Sequence, residues 1–287
     1  MKIYYLISTL FLSSLSLFIG ETPSVNSQVD SSQEALNFNY YSESNTGLWH
    51  DLITPNLEES KAFYQKVFNW TYSDVNFKGV KYTTIYNNQK VIGGMIEVKS
   101  AKSSTWITSL PLSSEKLKQR IKTVTANNAK VLLPPIKLPG RGKQVVFEGT
   151  QGEEFSLISH NEFTSKVDTS KTDGNWLGME LWASDISKAV SFYEEAFDVK
   201  VKETQFDGKS YWVFTSGSKD LAGMIKNPVT NQGTQWVPYV KMNDPVSVVN
   251  TAKGSSGSVL LTPTSKIRDG KIGIIQDPHG AIIAIQK

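Results

Sequence analysis

The chain has 287 residues, 30 basic against 27 acidic, for a formal charge of +3. That length suits two ordinary domains, and a charge so small and spread out gives no footprint for nucleic-acid binding. There is no cysteine, so disulfides, thiolate nucleophiles, zinc ribbons and iron–sulfur clusters are excluded, and three histidines, His50, His160 and His279, leave little for imidazole-based chemistry.

From the N-terminus, Lys2 precedes an apolar run from Ile3 to Ile19 that meets no charge before Glu21. Residues 1–27 read as a secretory signal peptide, cleaved after Gly20 or at Val25-Asn26-Ser27. A retained membrane anchor is the rival reading, because the run approaches the length that spans a bilayer. Residues 28–45 are a polar leader. The expected location is secreted or periplasmic, with no stable membrane insertion once the signal is removed.

The remainder is one unit written twice. Asp51-Leu52 recurs as Glu180-Leu181, Phe63-Tyr64 as Phe192-Tyr193, Gly79 and Tyr82 as Gly208 and Tyr211, and Gly94-Met95-Ile96 as Gly223-Met224-Ile225, all at a shift of 129. Trp106 matches Trp236 at 130, and Gly142-Lys143 and Gly152 match Gly270-Lys271 and Gly280 at 128. Ordered matches with one-residue slips define a tandem duplication, with domains at 46–161 and 175–287 and a linker at 162–174.

Within the first copy, Leu48 to Thr54 is a strand. Asn56 caps a helix, with Glu59 placed as capping-box partner, and Leu57, Ser60, Tyr64, Val67 and Phe68 recur at helical spacing. Strands are expected near 70–75, 80–86, 90–98 and 105–112, a helix at 114–127, and strands near 130–133, 144–149 and 153–159. In the second copy Asp185 caps, and Ile186, Ala189, Tyr193 and Phe197 form the stripe. Each copy is thus two βαβββ units, an α+β fold with helices outside a sheet.

The stretches LWHDLITPNLEESKAFYQKVFNW, GGM, STWI and LLPPIKLPGRGKQVVFEGTQGEEFSLI, with QWVPYV and IGIIQDPHGAIIAI in the second copy, resemble the vicinal oxygen chelate superfamily of glyoxalases, bleomycin-resistance proteins and extradiol dioxygenases, in a two-domain glyoxalase-like branch. The resemblance implies a curved, mixed, bowl-like sheet in each domain that holds a divalent metal and a small substrate. It places the metal ligands at Trp49 and Gly178 on the first strand, near Ile107 and Val237 on the fifth, and at Ser156 and Ala284 on the last; Glu97, matched by Lys226, is the one ligand-type side chain left. The expectation is therefore no metal and no other cofactor.

Alternation puts Trp49, Asp51 and Ile53 on one face of the strand and His50 on the other; with Trp49 at the ligand position that the resemblance implies, the first face lines the bowl and His50 points to the helix side. Asp51 and its counterpart Glu180 are the candidate general bases, against a structural reading in which they satisfy the backbone or a tyrosine. Trp49, Tyr82, Trp106, Trp182, Tyr211, Trp236 and Tyr239 are candidate ligand-stacking residues, with core packing the default for the repeated aromatics. Arg268 falls on a loop that reads either as a basic lid over the second bowl, favouring anionic ligands, or as a solvated loop. The expected function is binding of a small organic molecule without the family's metal; the alternatives are a metal-independent lyase or hydroxylase and a structural or partner-binding module. The expected state is a monomer with paired domains or a homodimer, with no nucleic-acid partner. Protein recovered from the native envelope or medium should begin between about residues 20 and 27 by intact mass; a chain starting at Met1 and extracted only by detergent would show an anchor instead.

Overall fold

The computed structural model describes residues 49–77, 80–138, 142–159, 172–206, 208–229 and 232–287. The expected signal peptide and leader, Leu48, Gly79, Arg141, His160 and all but the end of the expected linker lie outside them. Among the described residues no helix is long and apolar enough to cross a membrane.

The first sheet comprises β1 (Trp49–Thr54), β2 (Thr71–Phe77), β3 (Val80–Asn87), β4 (Lys90–Glu97), β5 (Thr105–Leu112), β6 (Lys130–Leu138), β7 (Gly142–Glu148) and β8 (Glu154–Ser159). Its helices are α1 (Leu57–Phe68) and α2 (Ser114–Ala126). The second sheet repeats the plan with β9 (Trp176–Ala183), β10 (Lys200–Phe206), β11 (Lys209–Ser216), β12 (Lys219–Lys226), β13 (Gln235–Lys241), β14 (Ser258–Leu261), β15 (Ile272–Gln276) and β16 (Ile282–Gln286). Here α3 (Ile186–Phe197) and α4 (Pro245–Lys253) follow β9 and β13. Both sheets have eight strands in matching order, β2-β3-β4-β1-β5-β8-β7-β6 and β10-β11-β12-β9-β13-β16-β15-β14. The first and fifth strands of each copy occupy the middle, where a side chain is walled in from both sides. These are the two tandem α+β domains that the repeat implies.

The helix starts follow from the caps. The side chains of Asn56 and Asp185 accept from the backbone N–H of Glu59 and Lys188, satisfying donors that a helix start leaves open. The reciprocal half of the expected capping box is absent. Glu59 instead sends its carboxylate to the other domain, 2.9 Å from His279 Nε2, while the Asn56 N–H is taken by Thr54 Oγ1.

The helix-bearing faces of the two sheets share one hydrophobic core, which runs from Leu52, Phe63, Tyr64 and Trp106 to Phe155, Tyr193, Phe197 and Trp236. Each fully buried large side chain contributes about 1.5–3 kcal/mol. Two matched polar clamps cross this core. Tyr64 Oη accepts from Trp106 Nε1 at 3.0 Å and donates to Asp277 Oδ2 in the other domain at 3.4 Å. Tyr193 Oη accepts from Trp236 Nε1 at 2.9 Å and donates to Glu153 Oε1 at 3.2 Å. Burial pushes both acids above the usual carboxylate range. It also pushes both phenols far above theirs, with the neighbouring acid adding to the effect. Trp70 and Trp176 stitch the same seam, Trp70 by donating to Gly174 O at the end of the linker and Trp176 by donating to Ile92 O of domain 1.

His50 lies in this core, edge-on to Trp176, with Nδ1 3.0 Å from Thr108 Oγ1. Full burial depresses its pKa to about 3, and neighbouring Asp51 offsets this only in part. The unfolded chain takes up a proton near pH 6.5 that the native chain refuses until about pH 3. Stability therefore falls as pH drops through that window, by up to about 1.4 kcal/mol per pH unit. His50→Asn should lose less stability than the wild type between these limits in urea unfolding at stepped pH; equal slopes would show that His50 titrates normally.

Candidate functional site

Each bowl is built around the first strand's carboxylate. In domain 1, Asp51 is 3% exposed. Its Oδ1 accepts from Trp49 Nε1 at 2.9 Å and Tyr82 Oη at 3.1 Å, and its Oδ2 from Gln144 Nε2 at 3.2 Å. The same Gln144 amide reaches Ser109 and Ser156, whose hydroxyls are 2.7 Å apart. In domain 2, Glu180 Oε2 accepts from Trp182 Nε1 at 3.0 Å and Tyr239 Oη at 2.6 Å. Its Oε1 accepts from Arg268 Nη2 at 2.7 Å. A carboxylate leaving water loses several kcal/mol of hydration unless it is paired and hydrogen-bonded. Domain 1 supplies neutral donors here, and domain 2 supplies a guanidinium.

Tyr82 and Tyr211 reach the acids by crossing a glycine. Gly94 pairs with Asp51, and Gly223 with Glu180. A Cβ on Gly94 would overlap the Tyr82 hydroxyl and come within 2.7 Å of Asp51 Oδ1; one on Gly223 would overlap the Tyr211 hydroxyl. The repeated glycines are thus required by this close approach. Burial, with Glu180 second, raises the pKa of Tyr211 and Tyr239 far enough that both stay neutral donors.

The structure brings together Trp49, Asp51 and Tyr82 in one bowl and Glu180, Trp182, Tyr211, Tyr239 and Arg268 in the other. It places Trp106 and Trp236 elsewhere: both lie on the helix face, bonded to Tyr64 and Tyr193. Arg268 meets the second bowl, but its charge is engaged by Glu180 and its Nη1 donates to Gln286 Oε1 at 3.0 Å. Sequence reasoning missed Gln144, Ser109 and Gln286, and placed Ser156 only at a metal-ligand position. One signal was available, an exchange of bulk. Trp49 faces Ser109 in domain 1, whereas Gly178 faces Tyr239 in domain 2. The space beside Gly178, which the sequence suggests is open, is filled from the opposite strand.

The same register tests the metal. The fifth-strand residues opposite the first-strand positions are Ser109 and Tyr239, not Ile107 and Val237, and they pair in turn with Ser156 and Ala284. The two potential centres are therefore Trp-Ser-Ser and Gly-Tyr-Ala, which lack the imidazole or carboxylate donors a divalent ion requires. Glu97 is turned away and accepts from the Leu57 N–H at the start of α1; Lys226 donates to Ser184 O. Among the described residues no three His, Asp or Glu side chains converge. The residues present do not fit the metal.

A model of the glyoxalase/bleomycin resistance protein/dioxygenase superfamily matches residues 175–285. The chain is 21% identical over 244 residues to CFP32 of Mycobacterium bovis, named as a glyoxylase, covering 83% of this chain and 93% of that one. It is 23% identical over 248 residues to the anthracycline biosynthesis protein DnrV of Streptomyces peucetius, covering 81% and 90%. Among solved structures, a Mn(II)-bound glyoxalase from Novosphingobium aromaticivorans superposes with a TM-score of 0.58 at 14% identity, over 83% of this chain and 80% of that one. The 2,3-dioxygenase LapB of Pseudomonas sp. KL28 also gives 0.58 at 14%, over 85% and 93%. These likenesses establish the fold of both domains.

Gly223→Ala should cost about 1–3 kcal/mol in urea unfolding, the usual penalty of overpacking. Most of that cost should vanish in a Tyr211→Ala background, since the clash is with the tyrosine. An additive double variant would show that Gly223 serves some other purpose.

Proposed function

We propose that this chain, which belongs to the glyoxalase/bleomycin resistance protein/dioxygenase superfamily, is an exported protein that binds a small organic molecule in a bowl without the metal used by the Mn(II)-bound relative. The observation that carries this reading is the presence of Trp, Ser, Gly, Tyr or Ala at the first-, fifth- and last-strand metal positions, with Glu97 and Lys226 engaged by backbone partners, while a carboxylate walled by aromatic rings persists in both bowls. Such a site offers stacking area together with a few fixed polar groups, the usual make-up of a ligand pocket. The relative named for anthracycline biosynthesis supports a small organic ligand. Domain 2 is the favoured bowl, because its acid is held by a side chain from a surface turn, whereas the acid of domain 1 is held by Gln144 from a strand.

Catalysis by Asp51 or Glu180 as general base is the weaker reading. A base needs a lone pair aimed at the substrate proton, and both oxygens of each carboxylate already accept hydrogen bonds.

The test is a thermal-shift screen of small organic molecules on the full chain, run with EDTA and again with added Mn, Zn or Ni. A ligand that binds the native state raises the melting temperature, and the shift should be the same in every arm. Glu180→Gln should weaken that ligand by about 1–3 kcal/mol, the cost of an unmade buried hydrogen bond, and more than Asp51→Asn does. Binding abolished by EDTA and restored by metal would overturn the reading.

A further inference from the structure

The second bowl is occupied by the guanidinium of Arg268. The Arg268 guanidinium carbon lies 5.1 Å from the Phe206 ring centre, 5.5 Å from Tyr239 and 6.0 Å from Tyr211. One edge of its fork meets Glu180 Oε1 at 2.7 Å; the other meets Gln286 Oε1 at 3.0 Å and approaches Tyr239 Oη at 3.5 Å. Aromatic faces around a carboxylate form a cation box, each face attracting positive charge through its quadrupole.

The two halves of this arrangement differ in how firmly they are held. Glu180 stands on β9, between β12 and β13, fixed by Trp182 and Tyr239. Arg268 stands on a single 3₁₀ turn between β14 and β15, where Arg268, Asp269 and Gly270 follow one another at φ 47°, 54° and 74°. The left-handed region is costly for the two non-glycine residues. That turn rests on β15 and on the apolar cluster that Ile267 joins, but it lies outside the strand ladders, so the Arg268 side chain can swing out without breaking a sheet hydrogen bond. The anion and the rings stay; the cation is the exchangeable part. Its departure without replacement would strand a buried carboxylate, which typically costs several kcal/mol. What replaces it must therefore be a cation.

We propose that the domain 2 bowl is a binding site for a guanidinium-bearing small molecule, formed by Glu180, Gln286, Phe206, Tyr211 and Tyr239, with the Arg268 side chain as its tethered resident. The sign of the ligand is thus opposite to that expected from a basic lid. This deepens the binding reading of the same bowl, and it adds a gate: the ligand must outcompete an arginine held at high local concentration by its own chain. Domain 1 has no such device, because a strand residue, Gln144, closes its cage.

Methylguanidinium is the probe, titrated at millimolar concentration into the full chain by calorimetry and followed by tryptophan fluorescence. Arg268→Ala should bind one equivalent saturably, the wild type should bind at least about tenfold more weakly because its own arginine competes, and Glu180→Gln/Arg268→Ala should bind none. Sodium acetate should bind none of the three. Arg268→Gln, which keeps bulk and polarity without charge, should also bind. If Arg268→Ala fails to fold, methylguanidinium in the refolding buffer should restore it and sodium chloride should not. Absence of saturable binding to the folded Arg268 variants, absence of rescue, or equal binding when Glu180 is replaced would each overturn the proposal. The probe and the variants are defined beforehand, so such a failure leaves the ligand screen on the wild-type chain standing.

Discussion

A negative charge buried in the middle of each sheet is the constraint around which both domains are arranged. A carboxylate on a central strand has no route to water, so every oxygen must find a donor among neighbouring strands. That requirement explains the tyrosine leaning across each repeated glycine, and the indole two residues from each acid. It also explains why the two bowls have separated in chemistry. In domain 1 the cage closes with the Gln144 amide and a pair of serine hydroxyls. In domain 2 it closes with an arginine. A neutral cage and a charge-compensated cage solve the same desolvation problem, but only the second contains a component that another molecule can imitate.

The interior between the domains follows a different logic. There two hydrogen-bond chains are matched across the duplication. The Trp106–Tyr64–Asp277 and Trp236–Tyr193–Glu153 chains run in opposite directions through one apolar core. Both acids also accept from backbone N–H groups in their own turns. Burial raises both titrations, and these hydrogen bonds, which favour the charged form, offset it only in part.

Much of this was legible in the sequence, because periodicity and repetition report on burial. The α-helical stripe ending in Phe68, the opposite facing of His50 and Asp51, and the pairing of Asp51 with Trp49 on one strand face follow from spacing. The second bowl was less legible. A bulge shifts the β9–β13 register beside Gly178, placing Trp176 in the interdomain core while Glu180 and Trp182 line the bowl. The role of Tyr239 depends on which residue it faces, and pairing register is not written in either strand by itself. Glu59 shows the same limit. Its spacing from Asn56 predicts a local capping box, but a histidine 220 positions away in the chain lies nearer to its carboxylate. Trp106 and Trp236 occupy equivalent positions because both serve the seam, and repetition by itself does not distinguish a seam from a site.

Duplication ordinarily frees one copy to drift while the other keeps the ancestral duty. The crosswise clamps restrict that freedom here. The helix tyrosine of each half completes its hydrogen bonding on a turn that belongs to the other half, so a change in the Asp277 turn is felt first at α1, more than two hundred residues earlier. The halves are mutual chaperones of each other's buried hydroxyls, and neither sequence alone contains the full specification of its own core. Divergence is freest in the bowls, on the faces turned away from the seam. One inherited frame therefore closes its two buried carboxylates with two different chemistries, a neutral cage and a charged one, while the crosswise clamps hold along the join.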